Sequence, residues 1–581
     1  MKKRLFAMLS AMLLVLTLLA GCADAPGSSA DNVSSGQSSR NQSTDESADA
    51  STLADKGEDA GSDAITLQVL NMPANKSGVM TGWFNDYLKE KLGDIDLEYL
   101  PTGDQGEQKL QALMASGELP DIIVFKDDKQ VENAVAGDML LAFDEYKELV
   151  PNLYNNVGTS MKYYADNLSK GQNKTYAVGV EINNAVETIG DKGSPYLRYD
   201  IYKQIGSPKI NTFEDYLTVV KLMQEAEPVN ADGKKVYGFS IWKDWDRSYM
   251  TLGMFTASDL CVTIPGEASL AEINHLNNDA ISSILDDDSA YMRFLNFYFE
   301  ANQLGLLDPD SMTQRFDDAT QKAKDGRVLY QSGGWGTQFT REQEDQGIGF
   351  KRVPYEEAKV PISSPNLVGK GWSVSVGKAS KYPEECMKVI NFIYDYETSM
   401  VEVNGPKGSI WDIDDSGKPF VTEAGYAWYA DPTGSIQDKG GELVHTYTSS
   451  SVNKDKNIPM HYTLWEKPDY APEESVLTQT WKEDMQCDNM LEYHYKCGNV
   501  VLTDYVIKPL LTDEMEQISA RVGDVIKTNS WKMVFAKDEA EFGALKEEMV
   551  TKAKGLGIDQ YVEWFRDEYA KAKEFSAQYA E

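Results

Sequence analysis

An α/β architecture of two lobes with mostly parallel sheets and a helical C-terminal portion is expected from three features of this 581-residue chain. From about residue 65, short apolar runs of strand character alternate with segments of helical period. The same alternation resumes between residues 196 and 376. The last stretch keeps helical spacing alone, and no internal repeat is visible.

The elements follow in order. Residues 65–70 read as a strand, and residues 71–78 as a loop. Met80, Trp83, Phe84, Tyr87 and Leu88 then share one helical face that ends at Gly93. Residues 95–100 give a second strand, and residues 108–116 a helix with Leu110, Leu113 and Met114 on one side. The continuous apolar run Ile122-Ile123-Val124-Phe125 suits a buried parallel strand. Thr212 to Asp215 resembles a capping box, opening a helix with Tyr216, Leu217, Val220 and Met223 inward. Residues 236–242 read as a strand, 291–304 as an amphipathic helix, and 327–330 as a strand leading into Gly333-Gly334-Trp335-Gly336. Residues 373–376 form another strand, and a helix opens near Pro383 with Glu384 and Glu385 in its first turn. Phe542, Leu545 and Met549, then Val562, Phe565 and Tyr569, mark the closing helices.

Composition narrows the function. With 41% hydrophobic and 10% aromatic residues, the chain can bury a large core, which excludes disorder throughout. The excess of 92 acidic over 56 basic residues gives a net charge of −36, which argues against nucleic acid or an anionic membrane surface as partner. Four His and five Cys are too few for a disulfide scaffold or a His-rich metal enzyme.

Lys2, Lys3 and Arg4 precede an apolar stretch over residues 5–20, the pattern of a cleaved signal. It closes on Leu19-Ala20-Gly21-Cys22, which resembles the bacterial lipobox. The resemblance implies removal of residues 1–21, lipid attachment at Cys22 and tethering to the outer face of the cytoplasmic membrane. Each buried methylene contributes about 0.8 kcal/mol, so two or three acyl chains anchor a domain firmly. Residues 22–63 contain no aromatic residue and are rich in Ser, Asp and Gly, the composition of a flexible linker. No later run reaches the roughly 18 apolar residues of a membrane span.

Several short motifs, in this order, resemble extracellular solute-binding proteins that serve carbohydrate ABC importers. They are the helix–turn–strand run from Ala115 to Ile123, the segment Tyr196 to Asp200, and Gly305-Leu306-Leu307-Asp308-Pro309. Gly326 to Trp335, Lys381-Tyr382-Pro383-Glu384-Glu385, and Asn404-Gly405-Pro406-Lys407-Gly408 with Trp411 complete the series. The resemblance implies a periplasmic-binding-protein-like fold of the class II type with hinge crossovers. Residues 64–182 plus 355–420 would form the first lobe and 184–352 the second. Residues 421–581 would complete the second lobe and hinge. It also implies a monomer that closes on an oligosaccharide and delivers it to permease subunits, with no bond made or broken. A peptide or other small solute is the alternative ligand, and a surface glycoside hydrolase or polysaccharide lyase the alternative class.

Sugar rings stack on aromatic faces, and their hydroxyls need convergent donors and acceptors. Open sheets present such groups at the carboxyl ends of their strands. Trp335 between glycines, Trp372 after Gly369 and Gly371, and Trp242 and Trp245 after a strand are the ring candidates, each weighed against core packing. Asp127 beyond one strand and Asn71 beyond another are the polar candidates, against solvated loops. Glu181 and Asn183 fall where the chain should cross between lobes.

No catalytic residue and no cofactor are expected, since no nucleophile elbow, zinc-protease motif or phosphate loop occurs. Asp412, Asp414, Ser416 and Glu423 have the spacing of a calcium loop, but Asp-Ser-Gly-Lys is also a good hairpin turn, and the turn is the expectation. Large relatives often carry an Asp-rich calcium loop where this chain reads Pro228 to Gly233, a departure that removes most of the carboxylates. Cys487 and Cys497 could pair in an exported protein, with free thiols as the default.

Overall fold

The computed structural model describes residues 65–580, apart from residues 75, 103–105, 187–193, 244–258, 266–268, 335 and 431–443. The signal and linker segments, with Cys22, lie outside the described residues.

The first sheet has six strands in the order Gly78–Val79, Ile95–Tyr99, Ile65–Asn71, Ile122–Phe125, Ser373–Val376, Val178–Gly179. Its centre is parallel: Ile65–Asn71 pairs with both Ile95–Tyr99 and Ile122–Phe125. Ser373–Val376 then enters antiparallel to Ile122–Phe125 on one side and to Val178–Gly179 on the other. Side chains alternate across a strand, so both faces of this sheet are covered. Leu67, Val69, Ile122 and Val124 face one apolar cluster with Phe84, Ile390 and Trp411. Leu70, Ile123 and Phe125 face another with Leu110, Tyr163 and Tyr164. The helix Trp83–Leu92 ends at Gly93, whose φ of +88° fits a residue without a Cβ.

The second core is built on an antiparallel sheet, Tyr330–Gln331, Tyr196–Arg198, Phe350–Arg352. The expected strand over residues 236–242 is present only as single parallel bridges, Tyr237 to Val328 and Phe239 to Leu307. Helix Ala290–Gln303 buries Tyr291, Phe294, Phe297 and Tyr298 there, with its N-cap Ser289 accepting from Met292 N. Helices Asp513–Val534, Glu539–Gly555 and Ile558–Ser576 pack on the same core through Val522, Ile526, Met549 and Phe565. Among the described residues, no helix is long and apolar enough to cross a membrane.

The stretch 421–581 does not pack as one piece, in contrast to the expected C-terminal portion. Val421, Tyr447, Met460 and Trp465 join the first core, and Leu477 and Trp481 join the second. Tyr355 and Ala358, expected in the first lobe, also belong to the second core. The chain therefore leaves the first core after Ile182, returns after Ala358, leaves after Trp465, and comes back a last time. Val360–Ser363, on the return after Ala358, pairs in parallel with Val500–Thr503, and Val360 and Ile362 pack there with Leu491 and Val500.

The final passage is helix Ile558–Ser576. Ile558, Tyr561, Phe565 and Tyr569 lie in the second core, whereas Phe575 and Tyr579 pack on the first. The Tyr579 ring lies 5.5 Å from that of Tyr163, its hydroxyl accepts from Asn167 Nδ2 at 2.9 Å, and it donates to Asp166 at 3.2 Å. Replacing Tyr579 by Ala removes a large buried ring, so Tyr579→Ala should lower unfolding free energy by about 3 kcal/mol, read as a lower urea midpoint.

Candidate functional site

The pairing pattern of the first sheet brings four loops to one rim. Strands Ile65–Asn71 and Ile122–Phe125 run the same way, and Val178–Gly179 joins them through two successive antiparallel steps. Their carboxyl ends therefore emerge together, beside the start of Ser373–Val376. That rim carries Asn71, Asp127, Glu181 and Trp372, four of the residues singled out from sequence.

Asn71, Glu181 and Trp372 line one cavity of about 80 Å³, with Lys76 and His445. Asn71 is buried, and its Oδ1 accepts from Ala74 N at 3.2 Å. Trp372 is 37% exposed, so part of its indole is open to a solute, while its carbonyl accepts from Val180 N at 3.0 Å. Glu181 has φ +53°, donates its N–H to the His445 carbonyl at 2.9 Å, and places Oε2 3.2 Å from Lys370 Nζ. Behind it, Gly369 has φ +105°, and a Cβ there would stand 2.7 Å from the Val180 carbonyl oxygen. Only glycine allows these two strand ends to meet so closely.

A larger cavity of about 510 Å³ opens beside the first, lined by Asp127, Asp128, Tyr163, Tyr164 and Lys370. Its far wall is the segment around Tyr505 to Leu511 and the first turn of Asp513–Val534. Lys129 crosses the opening to Asp513 at 3.0 Å and Glu516 at 3.2 Å. Tyr505 donates to the Gly369 carbonyl at 3.1 Å. The wall residue Leu511 and the helix after it pack on the second core, so this cleft is bounded by both cores.

Asp127 serves as N-cap of helix Asp128–Ala136, its Oδ1 accepting from Gln130 N at 2.8 Å. Its carboxylate is thus committed to the helix more than to a solute. Asp128, next along, is buried and accepts from Tyr163 Oη at 2.7 Å and Tyr164 Oη at 3.4 Å. Burial pushes its carboxyl up to about 6, against the two tyrosine hydrogen bonds that pull it down. Asn183 lies at the crossing between cores, exchanging backbone hydrogen bonds with Asn366 at 2.9 and 2.8 Å.

Other expected residues fall elsewhere. Trp242 is a correction: it is buried in the second core, edge-on to Phe316 at 5.1 Å, where apolar packing claims the ring. Trp245 and Trp335 lie outside the described residues. The calcium-like spacing forms a hairpin between Trp411–Ile413 and Pro419–Val421. Asp414 Oδ1 accepts there from Ser416 N, Ser416 Oγ and Lys418 N at 2.7–2.9 Å. Among the described residues, no cluster of three or more His, Cys, Asp or Glu is placed to hold a metal. At residues 228–233, Asn230 Oδ1 closes the turn by accepting from Asp232 N at 3.1 Å and Lys234 N at 2.9 Å. Cys487 and Cys497 are free thiols. Tyr163, Lys370, His445 and Tyr505 were not identifiable from sequence, because no local pattern separates a cleft tyrosine or lysine from any other.

Residues 83–401 match the family described as bacterial extracellular solute-binding protein. The chain belongs to that family. Lipoprotein LipO of Bacillus subtilis (strain 168) is 23% identical over 343 residues, 55% of this chain and 62% of LipO. This chain therefore spans less than two thirds of that relative's length. Among solved structures, an EF-hand mutant of the ABC-transporter substrate-binding protein FusA of S. pneumoniae, in complex with fructo-nystose, superposes with a TM-score of 0.58 and 15% identity. That match covers 88% of this chain and 99% of FusA. An HMO-binding, ABC-transporter-associated solute-binding protein from Bifidobacterium longum infantis gives a TM-score of 0.56 at 14% identity, covering 87% and 99%. The alginate-binding protein AlgQ2 gives 0.57 at 14%, covering 88% and 99%. These likenesses establish the two-lobe, periplasmic-binding-protein-like fold.

Asp128 supplies a pH test. Its folded carboxyl holds a proton more tightly than the unfolded chain does, so its stabilising contribution is full below about pH 4 and lost as pH rises through about 6. Asp128→Asn should therefore gain on the native protein by on the order of 2 kcal/mol between pH 4 and pH 8, read from paired urea titrations.

Proposed function

We propose that this solute-binding protein captures an oligosaccharide between its two lobes and hands it to the permease of an ABC importer. The observation that carries this reading is the rim itself. A partly exposed tryptophan ring, a buried asparagine and a glutamate–lysine pair converge at the carboxyl end of one sheet, and Lys370 of that pair also lines the larger cavity whose far wall comes from the other core. Rings for the C–H faces of a sugar and paired polar groups for its hydroxyls are what such a ligand needs. Oligosaccharides named as ligands of FusA and the Bifidobacterium protein support the same class.

In this reading the first lobe comprises the core on either side of the second-lobe insertion, and the hinge comprises the Asn183–Asn366 exchange and the paired strands Val360–Ser363 and Val500–Thr503. Ligand binding shifts the population toward a closed form, and the pair between Lys129 and helix Asp513–Val534 lies across the gap that closes. The Cys22 lipid anchor and the 22–63 linker hold the receptor outside the cell, supported by the lipobox and the lipoprotein relative. The chemistry ends at binding and release.

Thermal shift and small-angle scattering on residues 64–581 test this against a panel of glycans. The expected result is a rise in melting temperature and a contracted profile for at least one glycan, with no product formed. Turnover of a glycan would instead favour the hydrolase or lyase reading. Trp372→Ala should weaken the bound glycan roughly tenfold or more while leaving the ligand-free melting temperature nearly unchanged, because the ring is partly exposed.

A further inference from the structure

Resting on the glycan-binding reading above, we infer that the cleft takes neutral oligosaccharides in preference to acidic ones, and that Glu181 sets this preference by neutralising Lys370 beside Trp372. The two cavities are lined by five lysines and six carboxylates. The lysines are already engaged. Lys370 faces Glu181, Lys126 pairs with Glu107, and Lys129 with Asp513 and Glu516. Lys76 lies over the Tyr99 ring at 5.6 Å, and Lys508 also has a partner.

A uronate or sialate carboxylate entering beside Trp372 would meet Glu181 as a like charge. To reach Lys370 it would have to displace Glu181 from the ion pair and remain close to that carboxylate, a like-charge contact that neutral ligands do not make. The chain's net charge of −36 adds a repulsive field that slows anionic ligands on approach. Neutral hydroxyls meet neither obstacle, and the Glu181–Lys370 pair offers them an acceptor and a donor side by side.

The backbone of Glu181 supports a functional role for its side chain. At φ +53° it occupies the left-handed region, where a residue with a Cβ is disfavoured and glycine is at ease. The hydrogen bond from its N–H to the His445 carbonyl fixes that conformation. With the backbone held so, the Glu181 carboxylate lies 3.2 Å from Lys370 Nζ, beside Trp372.

Calorimetry on the full chain in neutral detergent micelles tests this with matched probes. Fructo-oligosaccharides and unsialylated milk oligosaccharides are the neutral set. Alginate oligosaccharides and sialylated milk oligosaccharides are the acidic set. The expected result is that the best neutral glycan binds at least tenfold tighter than the best acidic one. Glu181→Gln should shift the acidic-to-neutral affinity ratio at least tenfold toward acidic ligands. Glu181→Gly, which also relieves the backbone, should shift it the same way. A native preference for acidic glycans, or a ratio unmoved in both variants, would overturn this inference alone. No binding of either class would overturn it together with the glycan reading.

Discussion

Strand Ser373–Val376 enters the first sheet between Ile122–Phe125 and Val178–Gly179, although the second-core stretch from Leu197 to Ala358 intervenes in the sequence. Much else depends on that insertion. The sheet is complete only when the chain has gone out, laid down the first part of the other core and returned, so the lobes are tied by more than one strand of chain. Because the returning strand is antiparallel, its start meets the carboxyl ends of its neighbours. Trp372, just before it, is thereby delivered to the rim where Asn71 and Glu181 already stand. The site follows from pairing direction before any side chain is considered.

The cleft combines residues that hold structure with residues that are open to a ligand. Asp127 caps a helix through Oδ1 and Asp128 is held by two tyrosines, so both carboxylates carry structural bonds of their own. Trp372 has no such commitment on its exposed face. Lys129, reaching from the first-core helix to the second-core helix, is solvated at both ends, and pairs of that kind contribute about 1 kcal/mol or less. A bond that weak can break and reform as a receptor opens and closes.

Much of the fold was legible in the sequence because it is written locally. Continuous apolar runs marked the buried strands around Ile122, and helical stripes marked Trp83–Leu92 and Ala290–Gln303. Asn71 and Asp127, expected at strand carboxyl ends, Glu181, expected at the lobe crossing, and Trp372, expected ahead of a returning strand, all lie on one rim of the first sheet. Roles were harder to read. Trp242 and Trp372 both follow or precede strands near small residues, yet one is in the core and the other half open, a difference set by Phe316 packing from far along the chain. Asp127 and Asp128 are adjacent, and only the helix start decides which caps and which is buried. The 421–465 segment joins the first core through tertiary packing that no local period encodes.

Helix Ile558–Ser576 has its first turns in one core and its last side chains against the other. A helix is stiff along its axis, so it acts as a strut of fixed length between two bodies. Translation that stretches or shortens the gap along that strut is resisted, while swivelling about its docked end near Tyr579 is tolerated. For the lobe closure proposed above, such a strut favours rotation over separation. In the proposed receptor, the widest guest would then depend on a rod seated beside the cleft residues Val368, Tyr505 and Ile507 as well as on the residues that touch it.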